Sequence, residues 1–316
     1  MLIKRYLSCF FLCPVLLVQT SQTQTITETF GTGANQFSIE FVKIENPGNT
    51  ADNTGYGQVD YTYNIGKYEV SRKLIDKAND NNAGLGNIYD LNWSISENKP
   101  AVGITWNEAA RFVNWLNTSK GYQAAYNFLS NDIDSNISTW SAGLYSGNNQ
   151  FRHKDAFYFL PSENEWYKAA YFNPTTQTYS DYANGLDAPP TPVIEGTSPN
   201  TARYGQAESL GPADVSNAGG LSPYGTMAQN GNAWEWTESA WDGVNDNGSE
   251  TRVVLGGNKN DPAYVLQAGY RSSNDTVGTF SDGVEGFRIA MVPEPSSLSL
   301  LAVGLGGLAM IRRRRS

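Results

Sequence analysis

Hydrophobic and polar positions alternate from Phe37 to Val42 (Phe-Ser-Ile-Glu-Phe-Val), the period of a half-buried strand. Gly57 to Tyr63 resumes a similar pattern ahead of Ile65-Gly66-Lys67-Tyr68-Glu69-Val70-Ser71. Between them, Asn46 to Gly55 opens Asn46-Pro47-Gly48-Asn49 and reads as a turn-rich loop. Twice the period lengthens to that of a helix. Thr105-Trp106-Asn107-Glu108 has the form of a capping box, in which Thr105 accepts from the backbone of Glu108 and Glu108 reaches back. Ala109, Phe112, Val113 and Leu116 then follow at helical spacing up to Gly121. Ser162-Glu163-Asn164-Glu165, just after Pro161, repeats the device ahead of Trp166, Ala169, Ala170 and Tyr171. Both predicted helices are short and one-sided, so each should lie against a sheet or another core face.

From Asn173 to Pro223 the chain is mostly Pro, Gly, Ser, Thr and Asn. Such a stretch is either a pinned loop inside a compact domain or an interdomain linker. The strand-like pieces after it, Arg252 to Leu255 and Gly286 to Val292, favour a return to one core. Residues 22–36, rich in Thr, Gln and Gly, read as a flexible lead. The pattern therefore predicts a single domain over 37–292, with short elements and much loop.

The two ends carry a different pattern. At the N-terminus, Lys4 and Arg5 precede an apolar run from Leu7 to Val18 and then a polar stretch, the layout of a cleaved signal peptide over residues 1–21. At the C-terminus, Pro293-Glu294-Pro295 precedes an apolar segment from Leu298 to Ile311 and the cluster Arg312, Arg313, Arg314 and Arg315. That segment is shorter than the roughly 17–25 residues of a permanent helical span. One-sided positive charge would hold the last residues in the cytoplasm, which leaves the body outside. The tail, residues 293–316, resembles the PEP-CTERM sorting signal of Gram-negative bacteria. The resemblance implies processing by an exosortase-type enzyme, membrane contact only through this segment before processing, and a final place in the cell envelope, at the cell surface or in the medium. An ordinary tail anchor or a buried hydrophobic C-terminus is the competing reading.

The formal net charge is −9. Losing Lys4, Arg5 and the four terminal arginines against Glu294 alone would make the exported body more acidic still. That argues against nucleic acid or an anionic membrane surface as partner. Both cysteines, Cys9 and Cys13, lie in the N-terminal apolar run, so a processed chain would have no disulfide, no Cys-ligated zinc and no thiol nucleophile.

Six segments occur in an order and spacing that resemble the formylglycine-generating enzyme, or sulfatase-modifying factor, family. They are Ile65–Ser71, Pro100–Ala109, Leu160–Trp166, Gly231–Thr237, Val254–Gly257 and Gly286–Arg288. The resemblance implies an α+β domain of C-type-lectin-like (formylglycine-generating-enzyme-like) topology, with short helices and strands and long ordered loops. Each motif also has a plain structural reading. Trp106, Trp166, Trp234 and Trp236 suit a core poor in long helices, Glu165 caps a helix, and Arg288 bonds loop carbonyls or a carboxylate.

Formylglycine-generating members use paired active-site cysteines that bind copper. Here the stretch after Gly256-Gly257 reads Asn-Lys-Asn-Asp-Pro-Ala-Tyr-Val-Leu, without a thiol. Another branch, the iron-dependent sulfoxide synthases, uses three histidines, whereas this chain has only His153. His153 lies between Arg152 and Lys154 and reads as a solvated loop residue rather than a ligand. No copper or iron site is therefore expected. Calcium is the remaining metal: by resemblance, the carbonyls of Gly231 and Ala233 and the Glu235 carboxylate fall where the family holds a structural calcium ion. The position three before Gly231, commonly Asn or Asp, is Ala228. A buried hydrogen-bond acceptor is the competing role for Glu235.

The expectation is an exported, catalytically disarmed member of this fold that binds a partner or builds the envelope or matrix. Extracellular polysaccharide and envelope protein are the candidate partners, with recognition by the loops around Asn173–Pro223 and Asn258–Gly283. Tyr264, Tyr270 and Phe280 there suit carbohydrate stacking. The alternative is an enzyme of the same family, formylglycine-generating or nonheme-iron-like, with an unrecognised active site.

Overall fold

The computed structural model describes residues 24–86, 96–133, 135–145, 147–276 and 283–293. The signal-peptide segment, Phe280 and the tail from Glu294 onward lie outside the described residues.

Strands β1 (Thr25–Phe30), β2 (Phe37–Ile44) and β3 (Tyr63–Gly66) come first, followed by helices α1 (Arg72–Asp80) and α2 (Trp106–Ser119). After β4 (Tyr158–Phe159) and α3 (Glu163–Tyr171), the chain forms β5 (Trp234–Ala240), β6 (Arg252–Leu255) and β7 (Ser272–Asn274). Strands β8 (Glu285–Phe287) and β9 (Ala290–Met291) complete the larger elements. One sheet runs β1-β2-β3-β9-β4, with neighbouring strands antiparallel; the other runs β7-β6-β5-β8, with β5 and β8 parallel. This is the α+β domain of short elements and long ordered loops that the motif order implied.

Strand β1 corrects the flexible lead expected over residues 22–36. Thr25 to Phe30 pairs in register with Val42 to Phe37, and Phe30 is buried. Thr-Ile-Thr-Glu-Thr-Phe has strong strand propensity, and its polar residues fall on the exposed edge of the sheet. Helix α1 is a further departure from the sequence reading. Ser71 makes no side-chain cap bond there, and only Ile75 and Ala78 are buried, so neither caps nor an apolar stripe announces it.

The two anticipated helices are present, each with both halves of its capping box. Such a cap stabilises a helix by about 1 kcal/mol. Their apolar faces pack as expected: Trp106, Ala109, Phe112, Val113 and Leu116 of α2 are buried. Two tryptophans bind α2 to the second sheet reciprocally. The Trp106 indole donates to the Thr237 carbonyl at 2.9 Å, and the Trp236 indole donates to the Ile104 carbonyl at 2.7 Å. Each buries a large ring while its one polar atom is matched.

The stretch from Asn173 to Pro223 is a pinned loop. Thr191–Pro192 pairs with Thr201–Ala202, and the amide of Arg203 donates to Ala218 at 3.1 Å.

Candidate functional site

The segment Gly231–Trp236 leads into and opens β5, and its residue types follow from what each touches. A Cβ on Gly231 would lie 2.3 Å from the Arg203 carbonyl oxygen, so only glycine allows this approach. Asn232 adopts φ 66°, a left-handed conformation that Asn tolerates better than most residues. Its side-chain amide donates to Glu69 Oε2 at 2.6 Å, and its oxygen accepts from the Ala213 amide at 2.8 Å. Ala233 is buried with its methyl group 3.6 Å from the Cβ position of Gly286.

Glu235 is fully buried and holds three donors. Arg288 reaches it through Nε and Nη2, both at 2.5 Å, and the Trp166 indole donates to Oε2 at 2.7 Å. Arg288 also donates to the carbonyls of Gly66 at 2.9 Å and Met227 at 2.8 Å. It stands in the link from β8 to β9, where the chain passes from one sheet to the other. The pair thus joins the two sheets at their crossing point.

The structure brings Gly231, Ala233 and Glu235 into one buried turn. The donor set there matches an acceptor role for Glu235. Both carboxylate oxygens already face hydrogen-bond donors, and a guanidinium charge occupies the space beside them, which opposes a divalent cation. The Gly231 carbonyl accepts from the Ala233 amide at 2.9 Å. As arranged, Glu235 serves as a hydrogen-bond acceptor for Arg288 and Trp166. Ala228, the position that departs from the family pattern, takes φ 68°, a strained conformation for alanine.

Two features had no signal in the sequence. Glu69 is buried and accepts from the Asn232 side chain through Oε2. Burial, reinforced by the Glu235 charge, holds its pKa well above the carboxylate range. In a second cluster, Arg152 lies 3.1 Å from Glu238 and 3.8 Å from Glu165. Tyr126 donates to Glu238 at 3.1 Å and Tyr61 to Glu165 at 2.8 Å. Burial works against the Arg152 charge, but Glu238 and Glu165 together outweigh it. Burial also pushes the Glu238 pKa up to about 7, against the opposing pull of Arg152.

This cluster predicts a pH dependence. Glu238 ionises near 4.5 in the unfolded chain and near 7 in the folded one, so the unfolded state loses the proton first as pH rises. Its contribution is fully present below pH 4.5 and is lost as pH rises through about 7. Burial shifts Glu69 and Glu163 in the same direction. The body should therefore melt at a higher temperature near pH 5 than near pH 8. Glu238→Gln, which cannot ionise, should flatten that slope by on the order of a few kcal/mol across the range. Thermal melts across this range check it, and an unchanged slope in the variant would contradict the assignment.

His153 is not the solvated residue its neighbours suggested. It is buried, its Nδ1 accepts from the Asp155 amide at 3.2 Å, and its ring meets Trp140 edge-on at 4.7 Å. Glu250 lies 2.9 Å from Arg252.

The loop after Gly256-Gly257 carries exposed aromatic rings. Tyr264 is 59 % exposed and Tyr270 37 %, with ring centroids 6.0 Å apart, and Tyr270 lies 6.1 Å from Trp234. Of the sorting residues, only Pro293 falls among the described residues, where it is exposed.

Comparison with known proteins agrees with this geometry. The model of the sulfatase-modifying factor enzyme 1-like domain matches residues 34–292, and that of the PEP-CTERM protein-sorting motif matches residues 292–315. No curated protein matches. Among solved structures, Treponema denticola variable protein 1 is 21 % identical with a TM-score of 0.60, over 85 % of this chain and 99 % of that one. CarF is 17 % identical with a TM-score of 0.55, over 81 % of this chain and 99 % of that one. PvdO from Pseudomonas aeruginosa is 14 % identical with a TM-score of 0.51, over 84 % and 98 %. At these identities the likeness is one of fold.

Proposed function

We infer, from a chain that belongs to the sulfatase-modifying factor enzyme 1-like family, that its exported body binds a partner in the cell envelope rather than performing the family's oxidation. The chain carries a PEP-CTERM motif, a signal for export and surface sorting that exosortase-type enzymes process. A cleaved signal peptide over residues 1–21 is the matching proposal for the N-terminus.

One observation carries the binding reading. The stretch after Gly256-Gly257, where the family resemblance would place thiols, runs from Asn258 to Leu266 without one, and the chain's two cysteines both lie in the N-terminal apolar run. Without a thiolate the family's copper ligand is missing, and so is any group to exchange with a substrate thiol. Elsewhere the motif residues are engaged in holding the fold together: Glu235 by Arg288 and Trp166, Asn232 by Glu69 and Ala213. Calcium at Gly231, Ala233 and Glu235 remains a proposal supported by the resemblance alone, and the ion pair favours the other role for Glu235.

The purified body is expected to leave a sulfatase-type cysteine peptide unmodified, with or without added copper. Mass spectrometry of the peptide measures this directly. Catalytic conversion to formylglycine would overturn the binding reading in favour of an enzyme with an unrecognised site in the same fold.

A further inference from the structure

We propose that the face formed by Tyr264 and Tyr270, backed by the buried Trp234, is a binding site for a neutral polysaccharide. The proposal rests on the binding reading above and names the chemistry of its ligand.

The two tyrosines stand on a loop that is otherwise fastened to the body. Val265 and Leu266, next to Tyr264, are buried, and the Leu266 carbonyl accepts from the Tyr171 hydroxyl at 3.2 Å. Gly205 donates to Asp261 at 3.0 Å, Gln206 to Lys259 at 2.8 Å, and Ala268 to Asp181 at 2.8 Å. The rings are therefore presented by an ordered backbone, so binding costs little additional ordering. Tyr264 meets Tyr270 at 64° and Tyr270 meets Trp234 at 36°, so the two exposed rings stand together over a buried third ring.

The cations of the same loop are engaged elsewhere. Arg271 lies between Tyr56 and Trp241, at 4.8 and 4.5 Å from their ring centroids, and Glu163 holds it at 2.5 Å. Lys259 is buried, and Asp261 accepts from the Asn258 amide at 2.8 Å. Gln267, between the two tyrosines in sequence, is exposed, and its amide and the tyrosine hydroxyls are polar groups of this loop. A pyranose ring has an apolar C–H face for the aromatic rings and peripheral hydroxyls for polar groups of this kind. An acidic protein would repel an anionic glycan, and Lys259 and Arg271, the cations among the described residues of this loop, are held by Asn260 and Glu163. Export to the envelope places the face among such polymers.

The test uses the processed exported protein in affinity electrophoresis through gels containing laminarin, dextran or soluble chitosaccharide as neutral probes, with alginate as the charged control. Retardation by at least one neutral probe and none by alginate is expected. Tyr264→Ala and Tyr270→Ala should each weaken that binding about tenfold, as loss of an aromatic anchor does at other interfaces. Tyr264→Phe should keep most of it, and the exposed site leaves the melting temperature unchanged. No retardation by any neutral probe, equal binding by the alanine variants, or stronger binding to alginate would each overturn the proposal. Formylglycine formation would instead count against the binding reading of the body, whatever the gels show.

Discussion

Arg288→Met should destabilise the protein by about 3–5 kcal/mol, the usual cost of leaving one partner of a buried ion pair alone. For a domain of this size that is a fall on the order of 10 °C in melting temperature. The effect is large because the substitution does more than remove a contact. It leaves the Glu235 carboxylate in a fully buried site with only the Trp166 indole as donor, and it strips the carbonyls of Gly66 and Met227 of theirs. Removing both charges in Arg288→Met with Glu235→Leu should recover part of the loss, since the uncompensated charge disappears with its partner. Thermal and denaturant melts of the two variants measure the difference; equal stability of Arg288→Met and the native chain would show that the pair does not hold the sheets together. The same melts address calcium. Because the Glu235 oxygens are already engaged, a chelator should leave the native melting temperature unchanged. A fall that added calcium restores and Glu235→Gln abolishes would establish the ion instead.

Replacing Arg312, Arg313, Arg314 and Arg315 with Gln should block normal processing of the tail. The apolar segment Leu298–Ile311 is short for a stable span, and the arginines supply the charge that keeps its end on the cytoplasmic side. Without them the segment loses its orientation, and uncut precursor should accumulate in the membrane or appear in the wrong compartment. Cell fractionation and immunoblotting in a host with the sorting enzyme give the readout. Unchanged cleavage and surface delivery would mean that the arginines are not part of the signal.

Much of the fold was legible because the signals that declare it are local. Thr105 with Glu108 and Ser162 with Glu165 act across three residues, and both boxes form as read. Helix α1 has neither such a box nor a wide apolar stripe, so no local signal declares it. Strand β1 was hidden differently: its alternation was visible, but its polar composition suggested a mobile lead. Only pairing with β2 shows that an exposed edge can carry those polar residues. His153 was misread for a related reason, since charged neighbours in sequence did not predict the Trp140 ring packed against it.

The sequence by itself determined that no thiol follows Gly256-Gly257, that three terminal signals stand in order in the tail, and that six motifs run collinearly in the pattern of this family. These are statements about residue identity and short spacing, and no folding is needed to make them. The tertiary structure decided which partners the motif residues take. Arg288 finds Glu235, Asn232 finds Glu69, and Arg152 settles between Glu165 and Glu238, across separations that no local pattern spans. A buried charge takes whatever partner the closed core presents, and that choice exists only once both sheets and α3 are in place.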